Sequence, residues 1–166
     1  MKKIIYLVLS YIYMLLRKGY KETRKSNIMT KFDIHKNVSF WENTFITGDG
    51  TITIGENTYI GQNTYISSNP KYASITIGEG CMISHNVQIR TGSYDIKTIV
   101  TNEKKIIYEN ISIGNNVWIG ANVFIRYGVI LGDNVIVGAN SVVLHSFPDN
   151  SIIAGAPAKV IKKRDS

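Results

Sequence analysis

The chain is short of the residues that bind metals or close disulfides. Cys81 is its one cysteine, so no disulfide framework and no cysteine-based zinc cluster forms within the chain. It is expected to be a small buried apolar residue. The three histidines, His35, His85 and His145, lack the spacing of ligands on one helical turn, and no metal is expected. Long hydrophobic runs are also missing. The N-terminal run from Ile4 to Leu16 falls short of the ~20 residues that span a bilayer. No small-residue cleavage site follows it; Arg17-Lys18-Gly19-Tyr20 does, which argues against a signal peptide. Acidic residues are few, 12 against 19 Lys and Arg, for a net charge of +7. Such an excess suits nucleic acid, an anionic membrane or a phosphate-rich ligand. The middle of the chain lacks the interleaved basic and aromatic residues of single-strand binders, so nucleic acid is not an expected partner.

The basic residues gather instead at the two ends: Lys2, Lys3, Arg17, Lys18, Lys21, Arg24 and Lys25 at one, Lys159, Lys162, Lys163 and Arg164 at the other. Residues 1–30 read as a short helix with a wide apolar face and basic ends. Two placements fit it. It packs on the body or on a neighbouring subunit, or residues 1–25 make peripheral contact with an anionic membrane at its cytoplasmic face.

What the chain has in abundance is a repeat with a period of six. Ile54-Gly55-Glu56-Asn57-Thr58-Tyr59 is followed by Ile60-Gly61-Gln62-Asn63-Thr64-Tyr65. The pattern resumes at Ile77-Gly78, at Ile83-Ser84, at Ile113-Gly114-Asn115-Asn116-Val117-Trp118, at Ile119-Gly120 and at Leu131-Gly132 through Val142. An aliphatic residue comes first, a small residue second, and a small or β-branched residue fifth. Six is neither the helical 3.6 nor the strand period of two. It suits a coil with three short faces, in which the first residue points inward and stacks on its counterpart in the next coil. The glycine then sits near a corner where a Cβ would be costly or a positive φ is needed. Each coil buries its inner side only against its neighbours. This predicts an all-β parallel β-helix of about five to six coils over residues 31–145, with residues 146–166 as a capping segment and basic tail. Two stretches leave the period, Ser68–Ser74 and a protruding loop across 95–112. A long loop on a rigid scaffold is usually functional.

The repeats from Ile34 to Lys163, with Ile111–Asn122 and the Ala154–Lys163 ending as their most specific segments, resemble the hexapeptide-repeat acyltransferases. More narrowly the chain is similar to the galactoside and maltose O-acetyltransferases and to the O-acetyltransferases of capsule and O-antigen polysaccharides. The resemblance implies a left-handed coil, a homotrimer and an active site between adjacent subunits, with acetyl-CoA as donor. Trp118 and Ala121 match family positions beside the pantetheine arm, and Ala139 matches one whose backbone contacts it. Lys159 and Lys162 match basic residues that meet the CoA phosphates, whose oxygens accept strong charge-assisted hydrogen bonds. His145 stands where the family commonly has lysine.

The family's general base is a histidine. Aligned forward from Cys81-Met82-Ile83 and back from Trp118, that position falls on Tyr94. A free tyrosine has a pKa of ~10 against ~6.5 for histidine, and general-base catalysis is typically worth ~100- to 10,000-fold. Three outcomes follow. A basic neighbour such as Arg90 activates Tyr94; or His85, nine residues earlier, supplies the base; or the chain has kept the binding fold and lost the chemistry. The leading expectation is an acetyltransferase that modifies a sugar hydroxyl or amine in cell-surface polysaccharide biosynthesis, in the cytoplasm or at the inner membrane face. Against it stand an impaired relative that binds CoA or a glycan or acts as a scaffold, and an enzyme that acetylates an antibiotic or small amine.

Overall fold

The computed structural model describes residues 2–99 and 103–164. Helix α1 (Lys2–Lys31) leads into five coils. The first holds β1 (Asp33–Ile34), β2 (Ser39–Phe40) and β3 (Phe45–Gly48), and the second β4 (Thr51–Ile54), β5 (Tyr59–Ile60) and β6 (Tyr65–Ser68). The third holds β7 (Ser74–Ile77), β8 (Met82–Ile83) and β9 (Gln88–Arg90). An excursion follows: β10 (Gly92–Tyr94), α2 (Ile96–Ile99) and β11 (Ile106–Tyr108). The fourth coil is β12 (Ile111–Ile113), β13 (Trp118–Ile119) and β14 (Phe124–Ile125), the fifth β15 (Ile130–Leu131), β16 (Ile136–Val137) and β17 (Val142–Val143), and β18 (Ser151–Gly155) and β19 (Ala158–Lys163) close the chain.

The strands stack into three sheets, one per face of a prism. The first is β1-β4-β7-β12-β15, the second β2-β5-β8-β13-β16-β18-β19, the third β3-β6-β9-β14-β17. Neighbours within the coils pair in parallel, as in Ile83 opposite Ile119 and Ile119 opposite Val137. Antiparallel pairing is confined to the excursion and to the terminal β18–β19 pair. The molecule is a left-handed parallel β-helix, with the parallel coils predicted from the repeat and the hand implied by the family resemblance.

The two inward slots of each hexapeptide explain its chemistry. First-slot aliphatics such as Ile60, Ile83, Ile119 and Ile125 are fully buried, and so are the fifth-slot residues Thr58, Cys81, Val117 and Val123. The buried threonines remain satisfied: Thr58 Oγ1 donates to the Gly78 carbonyl at 2.8 Å and accepts from Cys81 N at 3.1 Å. Among the described residues no buried side-chain polar atom lacks a partner, as a low-dielectric interior demands. Cys81 is buried as expected, and burial pushes its thiol up.

The corners divide their labour differently from the simplest reading of the glycines. The second-slot glycines are there for space: an added Cβ on Gly120 would lie 2.6 Å from Ala139 N, and on Gly61 2.6 Å from the Ser84 carbonyl carbon. The left-handed backbone falls instead on the fourth slot, at Asn57, Asn63, Asn86, Asn116, Asn122, Asn134 and Asn140, with φ between 54° and 59°, and at Gly80 (φ 64°). Asparagine tolerates this region because its short amide hydrogen-bonds locally. Here the amides also join coil to coil: Asn86 Nδ2 donates to Asn122 Oδ1 at 2.9 Å, and Asn122 Nδ2 to Asn140 Oδ1 at 3.0 Å.

The protruding loop is an ordered hairpin. Gly92, Ser93 and Tyr94 pair with Tyr108, Ile107 and Ile106, Asp95 N donates to the Lys105 carbonyl at 2.8 Å, and the Asp95 carboxylate caps α2 through Lys97 N at 3.0 Å. Residues 100–102 of this loop lie outside the described residues.

Candidate active site

Three residues matched to the cofactor side share one place in the prism. Trp118 stands at the outward position of β13, in the middle of the second face, and is half exposed. Ala121 and Ala139 occupy the third slot of equivalent hexapeptides in consecutive coils, at the corner between the second and third faces. The Ala121 carbonyl accepts from Asn140 N at 2.8 Å, which locks the two coils together at that corner.

His85 belongs to the same column. It is the third-slot residue of its own hexapeptide, and its carbonyl accepts from Asn122 N at 3.1 Å. Its side chain is exposed beside the asparagine ladder. The corner therefore reads His85, Ala121, Ala139 from the third coil to the fifth, a run of roughly 10 Å at the ~4.8 Å spacing of neighbouring strands.

The terminal hairpin carries this surface to the lysines. Gly138 sits under Ala154, whose Cβ would lie 2.8 Å from an added Cβ, and Gly155 N donates to Ser141 Oγ at 3.1 Å. Lys159 is opposite Ala154 and Lys162 opposite Ile152; both are exposed. Register along the outer side of the second face runs Trp118, Ile136, Ile152, Lys162. Three strand spacings, roughly 14 Å, separate the indole from the Lys162 backbone along this sheet. An apolar strip ending in two ammonium groups can hold a ligand that is flexible and apolar along its length and anionic at one end. His145 is exposed in the connection before β18.

Tyr94 lies elsewhere on the chain. It ends β10 at the third-to-first corner, half exposed, on the far side of the third face from His85. Thr91 fixes the point of departure: its buried Oγ1 donates to the Asn69 carbonyl at 2.7 Å and accepts from Asn69 N at 2.9 Å. The guanidinium of Arg90, the neighbour considered as an activator of Tyr94, sits 5.9 Å from the Phe124 ring centre, one coil up on the third face. Tyr72 and Tyr108 make an edge contact beside the hairpin, with ring centres 6.4 Å apart.

The asparagine ladder next to His85 was missed in reading the residues for chemistry. Its signal was present in the repeated asparagine of the fourth slot.

Models of two hexapeptide families match the chain. The bacterial transferase hexapeptide (six repeats) covers residues 110–145, and the hexapeptide repeat of succinyl-transferase covers residues 51–90. A hexapeptide-repeat acetyltransferase from Vibrio cholerae is 29% identical over 87% of this chain and 81% of its own, with a TM-score of 0.74. A maltose O-acetyltransferase from Clostridium difficile 630 is 30% identical over 87% and 76%, with a TM-score of 0.64. A galactoside acetyltransferase, solved in complex with coenzyme A, is 31% identical over 86% and 70%, with a TM-score of 0.58. The chain belongs to the hexapeptide-repeat acyltransferase family and is an acyltransferase.

Proposed function

We propose that this acyltransferase moves an acetyl group from acetyl-CoA to a hydroxyl, or an amine, of a sugar in cell-surface polysaccharide biosynthesis, on the cytoplasmic side where acetyl-CoA is made. The observation that carries the reading is the continuous track from Lys162 and Lys159 past Trp118 and Ala139 to Ala121 and His85. The lysines hold the phosphates, the face and corner take the pantetheine arm, and the thioester arrives near the third coil. A relative of similar sequence was solved with coenzyme A and acts on galactosides, which supports both donor and acceptor class.

His85 is our choice of base, because it lies one coil beyond Ala121 in the direction away from the lysines. It accepts the proton of the acceptor hydroxyl or amine as that atom attacks the thioester carbonyl carbon. The tetrahedral adduct collapses with cleavage of the C–S bond. The leaving CoA thiolate takes the proton back from the imidazolium, and a sugar ester or amide is released. Tyr94 then belongs to the acceptor side, contributed by an adjacent subunit.

A homotrimer completes such a site. The outward positions are Ser39, Tyr59, Met82, Trp118 and Ile136 on the second face and Phe45, Tyr65, Gln88, Phe124 and Val142 on the third, whereas the first face presents Asp33, Thr53, Thr76, Ser112 and Ile130. Two mostly apolar faces against one mostly polar face suit subunits that meet through the second and third faces. Tyr127 is not part of this surface; it is buried within its own chain beneath Arg126, whose guanidinium lies 4.3 Å from the ring centre.

A second reading, an impaired relative that binds CoA or a glycan, is favoured by Tyr94 alone. The two readings share one prediction. Replacing Lys159 and Lys162 together by alanine is expected to weaken CoA binding by roughly tenfold to a hundredfold in calorimetry, through lost charge-assisted contacts. The parent affinity should fall as salt rises, and the variant's dependence should be shallower. An unchanged affinity would remove the tail from the nucleotide site. Transfer of labelled acetyl to a panel of sugars separates the two readings.

A further inference from the structure

The first half of α1 is unlike the rest of the molecule. Ile5, Tyr6, Leu7, Val8 and Leu9 are consecutive, and at 100° per residue they cover the whole circumference of the helix. Every large apolar side chain from Ile5 to Leu16 is between 45% and 72% exposed. The one polar residue within the run, Ser10, spends its hydroxyl on the Leu7 carbonyl at 2.9 Å. The second half is tied to the first coil. Arg17 pairs with Glu42, Arg24 donates to the Thr44 carbonyl and lies 4.6 Å from the Phe45 ring centre, and Ile28 and Phe32 pack on the core. Between helix and coil lies a cleft of about 700 Å³ whose lining mixes aromatic side chains, Tyr13 and Trp41 among them, with charged ones such as Arg17, Glu22 and Glu42.

We propose that residues 4–16 of α1 are a lipid anchor, sunk along the headgroup boundary of an anionic bilayer. A helix apolar on all sides needs a medium that surrounds it. Helices of a trimer would cover one strip of each other and leave the rest in water. No helix among the described residues is long and apolar enough to cross a membrane; at ~1.5 Å per residue this run is roughly 20 Å long, against a hydrocarbon core of ~30 Å. Basic residues bracket the run in sequence, Lys2 and Lys3 before it and Arg17 and Lys18 after it. Charge at both ends favours a helix lying in the interface over one that enters end-on, and it selects anionic lipid. Because α1 is fixed to the first coil and Lys159 and Lys162 lie beyond the fifth, the anchor puts the cofactor entrance away from the bilayer. His85, in the third coil, then stands about two strand spacings, roughly 10 Å, above the coil that carries the anchor. Resting on the acetyl-transfer reading, this placement makes a lipid-linked saccharide at the membrane surface the acceptor class.

Flotation of the full-length protein with vesicles tests the anchor. The protein should float with phosphatidylcholine vesicles containing phosphatidylglycerol and far less with phosphatidylcholine alone. Leu9→Glu with Ile12→Glu, and separately Lys18→Glu with Lys25→Glu, should each lower partitioning at least about tenfold. Glutamate is a good helix former, and Leu9, Ile12 and Lys18 are exposed and Lys25 half-buried at the helix surface, so circular dichroism should not change. Turnover on a soluble sugar, measured in parallel, should be equal in all variants; its absence from the parent would count against acetyl transfer and leave the anchor standing. The proposal is overturned if the parent stays unbound with both vesicle types, or binds both equally. It is also overturned if the Leu9 and Ile12 changes break the oligomer in light scattering while flotation is unaffected, since a second copy would then be the occupant.

Discussion

His85→Ala is expected to lower turnover by about 100- to 10,000-fold, the usual worth of a general base, while leaving the affinity for CoA unchanged. His85, Ala121 and Ala139 are third-slot residues joined through the backbone of successive coils, and the lysines lie at the opposite end of that column. Loss of an interaction made only as the proton moves lowers kcat and kcat/KM together. Tyr94→Phe, which removes only the hydroxyl, should change kcat by less than about threefold. The reverse ranking would make Tyr94 the base. A tyrosine base would also leave activity climbing well above pH 7, where an imidazole base has already levelled off. Tyr94→His adds a third comparison. If it raises turnover while His85→Ala has no effect, the chemistry runs at the hairpin position that the family resemblance indicates.

Gly120→Ala should be strongly destabilising in thermal melting. The added Cβ would meet Ala139 N at 2.6 Å, Ala139 Cα at 2.9 Å and the Val137 carbonyl oxygen at 2.9 Å. All three are backbone atoms of the next coil, pinned by the Gly120 N to Val137 O bond at 2.8 Å. Overpacking against side chains usually costs 1–3 kcal/mol because they can turn aside; backbone cannot, so about 3 kcal/mol is expected here. For a chain of this size that lowers Tm by roughly 6–12 °C. Gly19→Ala is the control. Gly19 lies within α1 with nothing inside 4 Å of an added Cβ, and alanine there should stabilise the helix by about 0.5–1 kcal/mol. Equal effects at the two glycines would mean that coil contact is not what the second slot requires.

The fold was readable because the period of the sequence is also the period of the structure. Each Ile-Gly start sets one inward side chain and one corner, so the coils can be laid out residue by residue. The corner backbone was harder to read. Glycine suggested the positive φ, but Asn122 carries it (φ 58°) while Gly120 is needed for closeness. Reading the fourth-slot asparagines as left-handed residues would have separated the two roles. The His85 column was hidden by the excursion: Asn122 and Asn140 are 18 residues apart, but Asn86 and Asn122 are 36 apart, so the repeat looks broken where the stack is continuous. The side of the wall that Tyr127 occupies was not legible, because an aromatic beside a corner glycine gives no sign of it. Its burial under Arg126 is a tertiary outcome. Tyr94 was placed by alignment to a family position, and the hairpin that presents it could not be drawn from the polar residues of its tip.

Acetyl transfer itself is tested most directly by incubating the full-length protein with labelled acetyl-CoA and a panel of sugars, then following label into sugar against release of free CoA. The prediction is label in at least one sugar as an ester or amide, matched one for one by CoA, and abolished by His85→Ala. Binding of CoA in calorimetry with no label transferred to any sugar, at any protein concentration, would contradict acetyl transfer and leave a CoA-binding relative that has lost its chemistry.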